Sequence, residues 1–276
     1  MIKGAEKFVG KERYTFEDLV EIMRLLRDPN GCPWDKEQTH KSIRQNFIEE
    51  TYEAVEAIDN DDAELLREEL GDVMLQVVFH AIISQESGDF CVDDVITGVC
   101  AKLVLRHPHI FADTDAKTTD KVLDNWEKIK TVEKHYSSTG EKIDSISKAM
   151  PSLMRANKIG EKCRKAGFDF ANAKDASEKI AEETRELLYE YENGNKEACE
   201  EEAGDLLLAA VNTVRLCGVD SEKALYNACE KYIRRYRCME EAMLSDGKNM
   251  SEISDTGKNE YWEKVKNSSK CTKISQ

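Results

Sequence analysis

Apolar positions recur with helical spacing along most of the chain. Between residues 16 and 26 they fall on one face of a helix. The same period continues through 46–58 and 65–83, and the second half of the chain repeats it through 180–188 and 206–214. Short polar segments at 59–62 and 193–196 separate the two helices of each pair, which predicts an antiparallel hairpin in each half. The predicted fold class is therefore all-α, with each half forming a small helical bundle.

The two halves are related by an internal duplication. Four landmarks recur in the same order, and the first two are 19 positions apart in both halves. The pairs are EETYE at 49–53 with EETRE at 182–186, EELGD at 68–72 with EEAGD at 201–205, K-x-x-x-R at 102–106 and 231–235, and WEKIK at 126–130 with WEKVK at 262–266. A polar stretch marks the seam. We therefore expect domains at 14–134 and 148–270, joined by a linker at 135–147.

Composition narrows the classes of partner. The formal net charge of −15 argues against a nucleic-acid polymer, because binding to its phosphate backbone requires a basic surface. A free nucleotide remains compatible with this charge, since a metal ion and a few local basic residues can hold it.

The cysteines and apolar segments favour a cytoplasmic protein. The nine cysteines show no C-x-x-C spacing, which fits reduced thiols better than a disulfide framework or a zinc site. Residues 1–11 lack an apolar signal core, and the most apolar segment, 73–83, is too short to span a bilayer. We expect no membrane association.

Repeated carboxylates are the candidate chemistry. On a helix, Glu50 and Glu53 project from one side a turn apart, and Glu69 and Asp72 do the same on the next helix. A hairpin of these helices would bring all four together, and the second half repeats the set. The repeated acids are Glu183, Glu186, Glu202 and Asp205. Like charges at this spacing repel one another, and the repulsion grows as water is excluded.

Two features favour a metal site over a solvated acidic surface, which is the usual meaning of an isolated E-x-x-E. The acids stand at the heads of apolar runs, 73–75 and 206–211, and both halves keep them at the same interval. An unpartnered anion at the rim of a core costs on the order of several kcal/mol. Oxygen ligands without an E-x-x-H pattern suit Mg²⁺, with Mn²⁺ as a substitute, better than di-iron. Mg²⁺ shares its shell with phosphate oxygens, so the predicted substrate is a phosphorylated small molecule.

With these residues in place, the chain resembles the MazG-type nucleoside triphosphate pyrophosphohydrolases over nearly its whole length. The resemblance is carried by GCPWDKEQT at 31–39, by E-E-x-x-E with E-x-x-D in each half, by RHPHIF at 106–111 and by PSLMRA at 151–156. The acidic pair alone is shared by a wider all-α superfamily that includes dimeric dUTPases. The CPWD and RHPHIF segments are much more specific.

The resemblance implies Mg²⁺-dependent hydrolysis of a nucleoside triphosphate to the monophosphate and pyrophosphate, in a helical homodimer. It implies metal ligands in both halves. The ligands in the first half are Glu50, Glu53, Glu69 and Asp72, and those in the second, which are also the catalytic set, are Glu183, Glu186, Glu202 and Asp205. Residues that meet the nucleotide in similar proteins match Lys179, Lys231, Arg235, Trp262 and Lys266.

Several of these residues also have structural interpretations. Trp262 either stacks on the base or pins the C-terminal helix, and Lys231 with Arg235 either contacts phosphate or forms a solvated surface. His107 is interpreted as a helix-end residue, and the CPWD segment as a packed turn. The second half has Lys179 four positions before Glu183, where the first half has Asn46, so the second half is favoured as the main catalyst.

Two rival functions remain open. One is a magnesium-dependent nucleotide hydrolase that breaks another phosphate bond or acts on another substrate, such as a dUTPase-like diphosphohydrolase. Carboxylate spacing alone does not say which phosphorus is attacked. The other is a catalytically silent regulator that binds nucleotide or a protein partner, against which the intact acid quartets speak.

Overall fold

The computed structural model describes residues 2–112 and 118–268. It divides into two compact units, Met1–Lys134 and His135–Gln276. Regular structure in the described ranges consists of helices without a strand, which confirms the predicted all-α class with two tandem helical bundles. None of the described helices is both long and apolar enough to cross a bilayer.

In its described residues, the first unit begins with a 3₁₀ turn, Ala5–Phe8, and continues with seven α-helices. These are α1 (Phe16–Arg27), α2 (Pro33–Glu37), α3 (Arg44–Asp59), α4 (Ala63–Ser87), α5 (Val92–Arg106), α6 (Pro108–Phe111) and α7 (Thr119–Glu133). The α3–α4 turn is closed by Asp61, whose φ is +53°, and by Asp62, whose carboxylate accepts hydrogen bonds from the first amides of α4. This short turn forms the predicted hairpin and sets the register of its acidic residues.

The core of the first unit lies between α1 and the C-terminal half of α4. Its buried members include Met23 and Val20 from α1 and Val78, Phe79 and Ile82 from α4. These positions repeat every three to four residues, so one face of each helix is removed from water. The N-terminal half of α4 is left to pack against α3, where the acids lie.

The second unit contains six helices between its first residue and residue 268, where the described range ends. They are α8 (Thr139–Asp144), α9 (Ser152–Lys165), α10 (Ala173–Glu192), α11 (Lys196–Leu216), α12 (Ser221–Ser245) and α13 (Asp255–Lys266). Side chains of Asn172, Asn195 and Asp220 cap the starts of α10, α11 and α12 by accepting amide hydrogen bonds. The α10–α11 hairpin repeats α3–α4, and a separate apolar cluster around Met243 and Tyr261 joins α12 to α13.

The two copies differ after their hairpins. Helix α5 stops at His107, because Pro108 cannot continue it, and the ring Nδ1 of His107 lies 2.7 Å from the Leu103 carbonyl oxygen. Helix α12 has no proline and runs on to Ser245. His107 therefore occupies a helix end, as its position in the sequence predicted.

The CPWD segment is not a packed turn around its tryptophan. It forms the short helix α2, and Trp34 is 58% exposed. The segment is held through its backbone instead, since Arg27 donates hydrogen bonds to the carbonyl oxygens of Asp35 and Gln38. Gly31 before it lies so close to the Leu26 carbonyl that a Cβ atom has no room.

The segment predicted as a linker, 135–147, contains α8 and belongs to the second unit, where α8 packs against α9. The proposed domain boundaries, 14–134 and 148–270, remain predictions, and residues 269–270 fall outside the described residues. Seven cysteines of the described residues are free. Cys238 is disulfide-bonded, which contradicts the expectation of reduced thiols at that position.

Close packing of α9 on α11 makes Gly160 sensitive to substitution. A Cβ atom there would lie 2.6 Å from Arg215 Nε and 2.8 Å from Asn212 Oδ1. We predict that Gly160→Ala lowers the free energy of unfolding by about 1–3 kcal/mol through overpacking. Gly204→Ala in α11, where a Cβ meets nothing within 4 Å, should instead add up to about 1 kcal/mol of helix propensity. Thermal unfolding of both variants tests this, and equal shifts would contradict the packing.

Candidate metal centre

The α10–α11 hairpin brings together the four acids of the second half, called here the second quartet: Glu183, Glu186, Glu202 and Asp205. Glu183, Glu202 and Asp205 each offer a carboxylate oxygen within 4.8 Å of the others. Glu182, Glu183 and Glu186 form an overlapping group with the same limit. Glu183 belongs to both groups and is 6% exposed, so the quartet centres on a buried carboxylate.

The mutual repulsion of these carboxylates affects the pKa of Glu202. Burial raises the pKa of Glu202 above its ordinary value, and the nearby charges of Glu186, Glu183 and Asp205 raise it further. Both causes disfavour the charged carboxylate, whereas a cation at this place would favour it. The protein therefore holds these acids together against their electrostatic preference.

Lys179 supplies one internal positive charge. Its Nζ atom lies 2.6 Å from Glu183 and 2.9 Å from Glu182, one turn along α10. The hydrogen bond from Lys179 lowers the pKa of Glu183 despite its burial, and the same contact raises the pKa of Lys179. One ammonium group thus compensates one of the four carboxylates, and the remaining acids keep their repulsion.

The α3–α4 hairpin forms the corresponding first quartet: Glu50, Glu53, Glu69 and Asp72. Oxygens of Glu50, Glu53 and Glu69 lie within 4.8 Å of one another, and Asp72 stands outside this group. Burial raises the pKa of both Glu50 and Glu69. The charge of Asp72 is the next cause for Glu50, and those of Glu53 and then Asp72 follow for Glu69. Asp72 therefore belongs to the same electrostatic cluster.

Two neighbours distinguish the first quartet from the second. Asn46 occupies the position of Lys179, so the first quartet has no lysine one turn before Glu50. Gln76, 6% exposed and one turn beyond Asp72, donates a hydrogen bond to Glu50, and its Oε1 atom has no partner within the described residues. The second unit has Ala209 at the position of Gln76.

Both quartets fit a divalent cation. Carboxylate oxygens within 4.8 Å of one another can share one ion. Burial and neighbouring carboxylates raise the pKa of Glu50 and Glu202, and a bound cation would counteract both effects. The unpartnered Gln76 oxygen adds a neutral oxygen donor beside the first quartet. Hard oxygen ligands of this kind are typical of Mg²⁺ and Mn²⁺ sites.

Comparison with known proteins identifies the family. The model of the MazG nucleotide pyrophosphohydrolase domain matches residues 38–111 and 172–239, so each match contains one hairpin with its quartet. This chain belongs to the MazG family.

Curated relatives of this MazG chain extend over almost its whole length. The nucleoside triphosphate pyrophosphohydrolase of Escherichia coli K12 is 43% identical over 251 residues, which are 90% of this chain and 95% of the relative. The nucleoside triphosphate pyrophosphohydrolase/pyrophosphatase MazG of Thermotoga maritima is also 43% identical, over 91% of this chain and 95% of its own. These findings confirm the predicted family and enzyme class. The family is metal-dependent, and acidic clusters that could hold an ion are present among the described residues.

A solved structure adds little to this. The crystal structure of a mazG-related protein from Thermotoga maritima is 25% identical and covers 42% of this chain and 98% of its own length. Its TM-score is 0.37, too low to support an argument about the fold.

The remaining predicted nucleotide contacts lie on α12 and α13. Lys231 is exposed, and Arg235 is half-buried with an Nε atom that makes no hydrogen bond in the described part of the chain. The ring of Trp262 lies 5.1 Å from that of Tyr232 and packs against the α12–α13 cluster, which favours its structural interpretation. Lys266 pairs with Glu263 at 2.7 Å. Lys179, by contrast, contacts the quartet directly through Glu183.

Arg215 and Asn212, which the sequence patterns did not single out, lie on α11 beyond the second quartet. Arg215 on α11 holds Asp169 with two hydrogen bonds, 3.0 and 2.6 Å long, and Asn212 lies beside them. Their signal in the sequence is the spacing from Asp205, since positions 205, 208, 212 and 215 share one helix face. Gln76 could have been found by its polar character within an apolar run.

Glu202→Gln tests the repulsion among the carboxylates of the second quartet. Without metal, removal of one charge from the second quartet should raise the melting temperature near neutral pH, and added Mg²⁺ should raise it less than in the unaltered protein. Since the folded-state pKa of Glu202 is raised, the stability from its protonation is present below about 4.5 and is lost as pH rises through the folded value. The advantage of the variant should therefore shrink on acidification.

Scanning fluorimetry between about pH 5 and about pH 8, with EDTA or Mg²⁺, measures this difference. Glu201→Gln is the matched control, because it removes the same charge from an adjacent, exposed side chain. If both variants shift the melting temperature equally, the repulsion is not specific to the quartet.

Proposed function

We propose that this MazG chain hydrolyses nucleoside triphosphates to the monophosphate and pyrophosphate with Mg²⁺ held at the second quartet, and that Mn²⁺ can replace it. The observation that carries the proposal is the convergence of Glu183, Glu202 and Asp205 within 4.8 Å, with Glu186 beside them. The family supplies the reaction, and the acids supply the place where a cation and phosphates can meet.

The reaction requires water to attack the α-phosphorus while the bond to the bridging oxygen breaks and pyrophosphate leaves. Mg²⁺ held by these acids would neutralise charge on the phosphates and make a nearby water easier to deprotonate. A carboxylate of the quartet accepts the proton of the attacking water. The hairpin keeps the carboxylates in place before substrate arrives, so little reorganisation accompanies the step.

Lys179 has a further part in this proposal. Its ammonium group sits on Glu183 and Glu182, where it lies within reach of any phosphate bound at the quartet. When a metal compensates Glu183, Lys179 becomes available to phosphate oxygens. Lys231 and Arg235, four positions apart on α12, and Lys266 on α13 are proposed to neutralise outer phosphates. Trp262 is also proposed to contact the nucleotide, with the part of its ring that does not pack on Tyr232.

The first quartet is proposed as a second metal site with Glu50, Glu53, Glu69 and Asp72 as ligands. It is the lesser catalyst for a physical reason. Where the second quartet has Lys179 for phosphate, the first offers the neutral Asn46. Loss of one cation weakens binding of a highly charged triphosphate more than binding of the metal.

We propose a cytoplasmic homodimer. Helix α5 carries an apolar stripe of Ile96, Val99 and Leu103 that is 40–51% exposed within one chain. An isolated, exposed stripe at i, i+3 and i+7 on a helix is typical of a surface that packs on another subunit.

Product analysis tests the proposed function. ATP, or another nucleoside triphosphate, should yield pyrophosphate and monophosphate in a Mg²⁺-dependent reaction, and orthophosphate as the product would contradict the reaction. Asp205→Asn should lower kcat by about a hundredfold or more, because the cation loses a charged ligand. Asp72→Asn, the equivalent change in the first quartet, should lower it less. A variant of Asp205 with unchanged turnover would refute catalysis at the second quartet.

The dimer proposal has its own test. Val99→Lys combined with Leu103→Lys places two charges in the α5 stripe and should convert a dimer of about twice 31.4 kDa into a monomer. Light scattering after gel filtration measures the mass. Thr97→Lys, an exposed polar position on the same helix, is the control and should remain dimeric. An unaltered protein that elutes as a monomer would contradict the proposal.

A further inference from the structure

Two histidines outside both quartets hold the segment 38–43, which links α2 to α3, against α4. The Nδ1 atom of His40 lies 2.7 Å from the Nδ1 atom of His80, and the planes of the two rings differ by only 4°. The Nε2 atom of His40 lies 3.2 Å from the hydroxyl oxygen of Ser84, one turn further along α4. His40 is exposed, His80 is half-buried and Ser84 is 1% exposed, so the contact joins the surface to the core.

The beginning of α3 depends on this contact because it lacks a side-chain cap. Its N-cap residue, Ile43, has an apolar side chain that accepts no hydrogen bond from the first amides of the helix. The matching helix of the second unit, α10, begins after Asn172, whose side chain accepts a hydrogen bond from the Asp175 amide. The beginning of α3 is held instead by the burial of Ile43 in the core and by the contact of His40 with α4.

The number of bound protons controls the contact between the two rings. A hydrogen bond between two Nδ1 atoms needs one nitrogen that carries a proton and one that does not, so the pair tolerates at most one positive charge. When both rings are protonated, both nitrogens are donors and two like charges face each other. Burial lowers the pKa of His80, and the nearby His40 ring lowers it further. The folded protein therefore resists the second proton until the pH lies below the ordinary pKa of histidine.

The surroundings of the pair provide no carboxylate to compensate a second positive charge. The charged groups nearest to it along the elements packed around it are Glu37 and Lys41 beside His40, Arg44, Glu49 and Glu50 on α3, Arg24 and Arg27 of α1, which reach α4, and Asp72 and Glu86 on α4. In the described part of the chain, none of them shares a hydrogen bond with either ring. Arg27 binds Glu86, and Glu50 accepts a hydrogen bond from Gln76, so these carboxylates have other partners.

We infer that His40 and His80 form an acid-sensitive latch, which holds the segment 38–43 on α4 near neutral pH and releases it when both rings are protonated. Release frees the beginning of α3, the helix that carries Glu50 and Glu53, so acid loosens the first hairpin from one end. The latch does not depend on the hydrolysis proposed above.

The second unit has neither histidine and is an internal reference for the latch. The offset that relates Glu50 to Glu183 places Ala173 at the position of His40 and Thr213 at the position of His80. The hydroxyl of Thr213 donates a hydrogen bond to the Ala209 carbonyl oxygen within its own helix. Opening at low pH should therefore be confined to the first unit.

Hydrogen exchange of the full chain in EDTA, measured by mass spectrometry and corrected for intrinsic rates, tests the latch. The released segment binds the second proton near the ordinary pKa of histidine and the latched segment binds it only at lower pH, so stability is lost as the pH falls. From about pH 7.5 to about pH 5.5, opening of residues 38–47 should increase several-fold, with about tenfold as the limit for one histidine. Residues 173–182 of the second unit should show no such increase.

Protonation of the first quartet does not imitate this result. Burial and neighbouring charges raise the pKa of Glu50 and Glu69, so uptake of protons there relieves repulsion and stabilises the hairpin as the pH falls. The two effects therefore have opposite signs.

His40→Phe combined with His80→Phe is the main variant, because two phenylalanines stack in place of the imidazoles and do not titrate. Opening of its residues 38–47 should be equally rare at both pH values. His109→Phe is the matched control, since it removes a titratable ring of the same unit outside the latch, and it should keep the acid-dependent opening.

Opening that is the same at both pH values in the unaltered chain overturns the inference. An acid-dependent increase that is as large in the double phenylalanine variant also overturns it, because the titrating group then lies elsewhere. Nitrogen NMR of the histidine rings in the unaltered chain needs no variant. The pair should bind its two protons in separate steps, the second below the pKa of an isolated histidine, and two independent titrations at the ordinary pKa would contradict the shared hydrogen bond.

Discussion

The repulsion among four carboxylates is the constraint on which the rest of this MazG chain depends. Each hairpin places acids from two helices within a few ångströms of one another. Burial raises the pKa of Glu50, Glu69 and Glu202, so it adds to the electrostatic cost of the charged carboxylates. A fold can hold such a cluster when short, capped turns fix the register of the two helices. A cation then turns an unfavourable cluster into a binding site for phosphates.

Duplication allowed the two clusters to acquire different surroundings. In the first unit, the face of α4 beyond the acids is used for stability, with Phe79 and Ile82 in the core. In the second unit, the same face of α11 carries Asn212 and Arg215 beside an open cavity. The apolar cluster of the second unit lies instead between α12 and α13. The same helix face is thus part of the core in one copy of the hairpin and borders a cavity in the other.

Much of this could be predicted from the sequence, because helical periodicity and the 19-residue interval are local patterns. They gave the hairpins and both sets of acids. The Arg215–Asp169 pair could not be found this way, since it joins residues 46 positions apart and depends on the packing of α9 at Gly160. The exposure of Trp34 was missed for a similar reason, because backbone hydrogen bonds from Arg27 hold its segment.

The most direct measurement of the central claim is anomalous diffraction from crystals of the full chain grown with Mn²⁺. We expect an anomalous-difference peak at the second quartet, about 2.2 Å from oxygens of Glu183, Glu202 and Asp205. The Lys179 ammonium should then be displaced from Glu183. Four acids that remain together around Lys179 without a peak, at Mn²⁺ concentrations that support turnover, would contradict it.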